Sequence, residues 1–195
     1  MKWFVLAVAA LFVSATAVSA EDKKKPEGPV TLKVVAKTDK YKFDGGGKTP
    51  EEYKKTLQLL AKAKDGGLQQ PPKPPAVDLV LQITNTSKDE VTIYVGGDPN
   101  VYTFELTGGD GTVALNSGLA LTADFKLHKS VTLAAGKSYD IPVKQLSDGS
   151  RGASRYVYWT GPGEYKLAAT YTLSDKDGGK TTTLKSEPIK ITVEK

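Results

Sequence analysis

Apolar residues recur at every second position through most of this 195-residue chain, a period that predicts strands. Val30, Leu32, Val34 and Ala36 share one face, with Thr31, Lys33 and Lys37 on the other. From Val77 onward the alternation is nearly continuous. Val77, Leu79, Leu81 and Ile83 form one set, and Val91, Ile93 and Val95 the next. Further strands are predicted at 101–106, 112–115 and 131–133, and around Tyr139, Ile141 and Val143. The longest clean alternation is Tyr165, Leu167, Ala169, Tyr171 and Leu173, and Ile189, Ile191 and Val193 follow. Seven or more short strands separated by Gly-rich turns predict a mainly β chain folded as a sandwich. Pro142 and Pro188 belong at a sheet edge or a strand start, because neither can donate to a ladder.

One segment breaks the pattern. Thr49-Pro50-Glu51-Glu52 is a helix start: Thr49 caps, Pro50 occupies the first helical position, and Glu52 completes a capping box. Tyr53, Leu57, Leu60 and Ala61 follow at i, i+4, i+7 and i+8, which is one apolar stripe. Asp65-Gly66-Gly67 ends the helix, and residues 69–75 (QQPPKPP) form an extended spacer. A short α-helix is thus expected inside an insert spanning 44–75. Tyr53, Leu57 and Leu60 are candidates for an interaction surface on it.

The first 20 residues have a different character. Lys2 precedes an unbroken apolar run from Trp3 to Val13, and Val18-Ser19-Ala20 is a small-residue cleavage site before Glu21. The expectation is a signal peptide at 1–20, with a retained anchor as the alternative, and no stable membrane anchor after cleavage. Residues 21–29 (EDKKKPEGP) lack apolar side chains and read as a disordered spacer. The domain then runs from 30 to 195, including the insert. Export combined with a complete lack of Cys points to a secreted or periplasmic protein of a bacterial envelope.

Four segments together carry a family resemblance: LQITNTSKDEVTIYV (81–95), SVTLAAGKSYDIPV (130–143), GPGEYKLAATYTL (161–173) and SEPIKITVE (186–194). Residues 76–195 resemble bacterial exported immunoglobulin-like domains, particularly the sandwich of the intracellular-proteinase-inhibitor family. The resemblance implies an immunoglobulin-like antiparallel β-sandwich, to which the helix signals at 49–61 add one short inserted α-helix. It also implies that Tyr165 is a corner tyrosine whose hydroxyl bonds nearby backbone. No protease-reactive loop maps onto the chain, and the insert at 44–75 departs from the pattern.

The net charge of +5 suggests an anionic partner until it is resolved by position. Residues 21–75 hold 13 Lys against 8 acids, whereas 76–195 hold 13 cationic residues against 14 acids. The basic excess belongs to the arm and insert, so no nucleic acid is expected as a partner. The lack of Cys excludes thiolate chemistry, and a single His, His128 in an exposed Lys-flanked stretch, excludes His-cluster metal sites. Gly47-Lys48-Thr49 and Gly179-Lys180-Thr181 end like phosphate loops, but the required first glycines are Lys42 and Ser174. Asp110, Asp148, Asp175 and Asp177 lie in Gly-rich turns without calcium-loop spacing, and Asn85-Thr86-Ser87 reads as a turn. No metal, cofactor or catalytic residue is expected.

The segment RGASRYVYW (151–159) holds both arginines of the chain, Arg151 and Arg155, beside Tyr156, Tyr158 and Trp159. Arginine with aromatics is the composition of binding surfaces. In an extended segment Tyr156 and Tyr158 share one face, while Arg155, Val157 and Trp159 share the other. Burial of Val157 and Trp159 would leave the tyrosines outside. The expected function is a non-catalytic extracytoplasmic binding or structural module that takes an envelope protein. The alternatives are a carbohydrate-binding module gripping a glycan through these aromatics, and a hydrolase whose site is not identifiable.

Overall fold

The computed structural model describes residues 28–63, 70–98, 101–116, 126–150 and 153–195. The strands are β1 (Val30–Ala36), β2 (Lys40–Lys42), β3 (Ala76–Asn85), β4 (Val91–Val95), β5 (Tyr102–Gly108), β6 (Thr112–Asn116), β7 (Lys129–Leu133), β8 (Ser138–Gln145), β9 (Ser147–Ser150), β10 (Ala153–Trp159), β11 (Gly163–Ser174), β12 (Thr181–Lys185) and β13 (Ile189–Glu194). One helix, α1 (Pro50–Lys62), lies between β2 and β3. The chain is mainly β, as its periodicity predicts. The expected signal peptide and most of the spacer lie outside the described residues, as do the Gly66-Gly67 stop and Arg151.

Three sheets form. The first has the order β1-β3-β8, the second runs β2-β13-β11-β4-β7, and the third is β6-β10-β9. β11 is long enough to hold β13 and then β12 along one side, and β5 along the other. The first two sheets share one apolar core. β3 alternates without a fault, burying Val77, Leu79, Leu81 and Ile83, and β11 answers with Tyr165, Leu167, Ala169, Tyr171 and Leu173. Pro142 sits on β8, an edge strand. The Asn85 N–H bonds the Lys137 carbonyl, so odd-numbered residues of β8 face β3 and the missing N–H of Pro142 faces outward. Pro188 immediately precedes β13, the strand start where it was expected.

The strands β2, β9 and β12 were not predicted, and each has a physical reason. β2 is three residues long with only Tyr41 turned inward, and its strand character comes from parallel pairing with β13. β9 has a turn composition (SDGS) and is extended because β10 pairs with it. In β12 (TTTLK) only Leu184 is apolar and buried.

α1 begins as its sequence dictates. Thr49 Oγ1 accepts from the Glu52 N–H at 3.3 Å, and the Glu52 carboxylate accepts from the Thr49 N–H at 3.0 Å. These hydrogen bonds hold the Glu52 carboxyl below its usual value. The helix ends at Lys62, before the predicted stop. Ala63 turns extended while its N–H still bonds the Leu59 and Leu60 carbonyls.

The Asn85-Thr86-Ser87 turn is a structural joint. Asn85 is fully buried, and its side-chain amide donates to the carbonyls of Asp89 (2.8 Å) and Leu133 (2.9 Å). Its Oδ1 accepts from the Ser87 N–H (2.9 Å) and hydroxyl (2.7 Å). One side chain thus ties β3 of the first sheet to β7 of the second. Asn85→Ala is expected to cost about 3 kcal/mol, because buried partners lose their bonds at about 1–3 kcal/mol each. Urea unfolding checks this, and a loss below about 1 kcal/mol would show that the joint carries little.

Candidate functional site

β10 organises the region where site residues were predicted. Its alternation is as expected, with Tyr156 and Tyr158 on one face and Arg155, Val157 and Trp159 on the other, but both faces are covered. Val157 and Trp159 are buried in the main core. The Trp159 ring lies tilted against those of Tyr41 (5.6 Å between ring centroids) and Tyr165 (6.3 Å). Tyr158 is also buried, at 0% exposure, in a second small core with Tyr53, Leu57 and Leu115. Tyr156, Leu60 and Phe43 pack half-buried against that core, with Phe43 meeting the Tyr53 ring edge-on at 5.6 Å.

This corrects two expectations. Tyr158 does not lie on the surface, because α1 lays its apolar stripe over that face of β10. Tyr158 and Trp159 therefore form no exposed platform with Tyr156. Tyr53 and Leu57 are correspondingly inside the protein, so the helix does not present them to a partner. What α1 leaves outside is a charged face with Leu59 exposed. The Tyr158 hydroxyl reaches beyond the small core and donates to the Pro72 carbonyl at 2.6 Å. The proline-rich segment is thereby fastened over the same strand, and the Leu146 N–H bonds Pro75 at 2.9 Å.

Arg155 is committed as well. Its Nε donates to Asp148 Oδ1 at 2.9 Å, and its Nη2 donates to Asp148 Oδ2 at 2.7 Å and to the Phe104 carbonyl at 2.6 Å. The second carboxylate oxygen of Asp148 also accepts the Phe104 N–H. The Asp148 side chain is 0% exposed and that of Arg155 33%. Hydrogen bonding to Asp148 raises the Arg155 pKa above its already high value, against the opposing effect of burial. Ala169, opposite Phe104, directs its own N–H and C=O to Ser186 on the far side of β11. Phe104 therefore belongs to a non-hydrogen-bonded pair and points its backbone groups away from β11. The ion pair takes the place of a neighbouring strand at that edge of β5.

The backbone hydrogen bond expected of Tyr165 is present. Tyr165 is buried and its hydroxyl donates to the Gly161 carbonyl at 2.7 Å. Its ring lies against Gly109 so closely that a Cβ there would strike it, and Gly109 has a φ of +52°. Among the acids of the Gly-rich turns, Asp175 accepts the backbone N–H groups of Asp177 (3.2 Å), Gly179 (2.9 Å) and Lys180 (3.1 Å). Among the described residues no group of three His, Cys, Asp or Glu is placed to hold a metal ion. His128 is half-buried, not exposed as expected, because it packs edge-on against the Tyr94 ring at 5.1 Å.

No protein-family model, no curated protein and no solved structure matches the chain.

Two predictions follow from these contacts. Arg155→Ala leaves the Asp148 carboxylate buried and unpaired, at an expected cost of about 3 kcal/mol, the low end for buried pairs because Arg155 is partly exposed. Arg155→Ala combined with Asp148→Ala should cost less than the two single losses added, as a double-mutant cycle in urea would show; strict additivity would mean that the pair is uncoupled. Separately, burial pushes the phenols of Tyr41, Tyr53, Tyr102, Tyr158, Tyr165 and Tyr171 upward. Above about pH 10 the unfolded chain loses these protons while the folded chain keeps them, so stability falls with rising pH. Phenolate absorbance should lag behind that of a denatured control until the fold gives way; coincident titrations would contradict the burial.

Proposed function

We propose that the chain is an exported, non-catalytic immunoglobulin-like β-sandwich module that binds a protein partner. The observation that carries the fold assignment is the division of strands. β1, β3 and β8 lie in one sheet, and β4, β11 and β13 lie in the other. These are the places of strands A, B and E, and of C, F and G, in an immunoglobulin sandwich. The Tyr165 hydroxyl bond at the start of β11 supports the same reading. The departures are α1 with the sheet β6-β10-β9, the parallel strand β2 beside β13, and β5 and β12 alongside β11.

The binding function rests on where side-chain chemistry is used. Arg155 and Asp148 hold two elements together, and the aromatics of β10 fill two cores. Contact with another molecule is left to loops and strand edges, the parts with which such sandwiches recognise proteins. The leader-like residues 1–20 and the lack of Cys support an extracytoplasmic setting.

The experiment is expression of the full chain in a bacterial host, with fractionation, N-terminal sequencing and cross-linking in intact cells. A chain beginning at Glu21 outside the cytoplasm, giving a saturable cross-linked adduct with a protein, is the expected outcome. A cytoplasmic chain still starting at Met1 would overturn export. Recognition of sugars on a glycan array without any protein adduct would overturn protein binding in favour of a carbohydrate module.

A further inference from the structure

A groove of about 680 Å³ opens between β1, β4 and the β11–β12 hairpin, within the roughly 300–1,000 Å³ of ligand sites. Its apolar lining comes from Val30, Leu32, Ile93, Leu173 and Leu184. Backbone register determines what borders it. The Thr86 N–H bonds the Pro29 carbonyl, and the Lys37 N–H bonds the Asp78 carbonyl, so odd-numbered residues of β1 face β3. The N–H and C=O groups of Val30 and Leu32 therefore point away from β3, to the side where the sheet has no further strand among the described residues. The same argument applies to β12. The Ser186 N–H bonds Ala169 and the Asp175 N–H bonds Lys180, which turns the backbone groups of Thr181, Thr183 and Lys185 away from β11. Two bare strand edges thus border one apolar groove.

The charge at its rim has a sign. Lys180 and Lys185 line the groove and take part in no ion pair among the described residues. Among the described lining residues Asp175 is the only carboxylate, and it is occupied by three backbone N–H groups.

We infer that this groove receives an extended segment of a partner protein as an added β-strand. Rows of N–H and C=O at the strand repeat match another polypeptide backbone, which is the basis of strand addition. Alternate apolar side chains of the segment enter the groove, and acidic side chains between them meet Lys180 and Lys185. The inference rests on the protein-binding reading above and gives it a place and a partner chemistry.

The test uses the purified exported protein and a capped nonapeptide of alternating valine and glutamate. Saturable binding is expected, with amide exchange slowed at Val30 and Leu32. Two further peptides, N-methylated on every valine or on every glutamate, remove donors from one strand edge each, and at least one should bind tenfold more weakly. Lys180→Glu with Lys185→Glu should weaken the parent peptide on the order of tenfold, since both residues line the groove. The inference is overturned if both methylated peptides bind like the parent, if protection appears at β7 or β8 instead, or if no peptide binds. It is also overturned if the protein alone dimerises through β1, because the occupant is then a second copy. In each case a persisting protein adduct in cells would leave the binding reading intact and remove only this site.

Discussion

The side layer of the molecule depends on one carboxylate. Asp148 comes from a four-residue strand of turn composition, yet its side chain is fully buried because it meets both the Phe104 N–H and the Arg155 guanidinium. Arg155 returns a bond to the Phe104 carbonyl, so the donor and the acceptor of one edge residue are both satisfied by side chains. Burying two charges is costly, and a well-packed apolar pair could do the work of adhesion as well or better. What the charged pair adds is register. Only a group that both accepts and donates at the spacing of a peptide unit can fix β9 and β10 against β5 at Phe104 and not two residues away.

With β10 held there, its two faces acquire separate neighbours. Val157 and Trp159 complete the core shared by the two larger sheets, and Tyr156 and Tyr158 require a cover of their own. α1 supplies it through Tyr53 and Leu57, and the Pro72 carbonyl closes over the Tyr158 hydroxyl. Three parts far apart in the chain, α1 with Pro72, β6, and β9 with β10, become one layer through these contacts. The lysine-rich helix is therefore part of the folded body, and its half-buried Lys54 donates to the Asp110 carbonyl.

This explains which features could be read from the sequence. The cap of α1 is local: Thr49, Pro50 and Glu52 interact within one turn, so their identities determine the geometry. The alternation of β3 and β11 is equally legible, because one buried face leaves its mark on every second residue. For β10 the period correctly grouped Tyr156 with Tyr158, but period alone does not say what covers a face. The apolar stripe of α1 was visible and so was the tyrosine pair; that each covers the other is a tertiary fact. Asp148 carried no local signal either, since an aspartate before glycine is ordinary turn chemistry until a distant arginine and a strand edge surround it.

Edge management separates the strand edges of this fold. β8 carries Pro142 with its donorless nitrogen outward, β2 is only three residues long, and β5 is capped at Phe104 by an ion pair. Each is a recognised way of stopping one sheet from pairing with another chain. Val30 and Leu32 of β1 and the outward groups of β12 have no such cover, and they flank the same apolar groove. Their lysines discourage pairing with a like-charged strand, which includes the lysine-rich arm of a second copy, without blocking the backbone groups themselves. A fold that closes the edges of β8, β2 and β5 by proline, shortness and an ion pair, and guards this one by charge alone, leaves it open to a strand of the opposite charge.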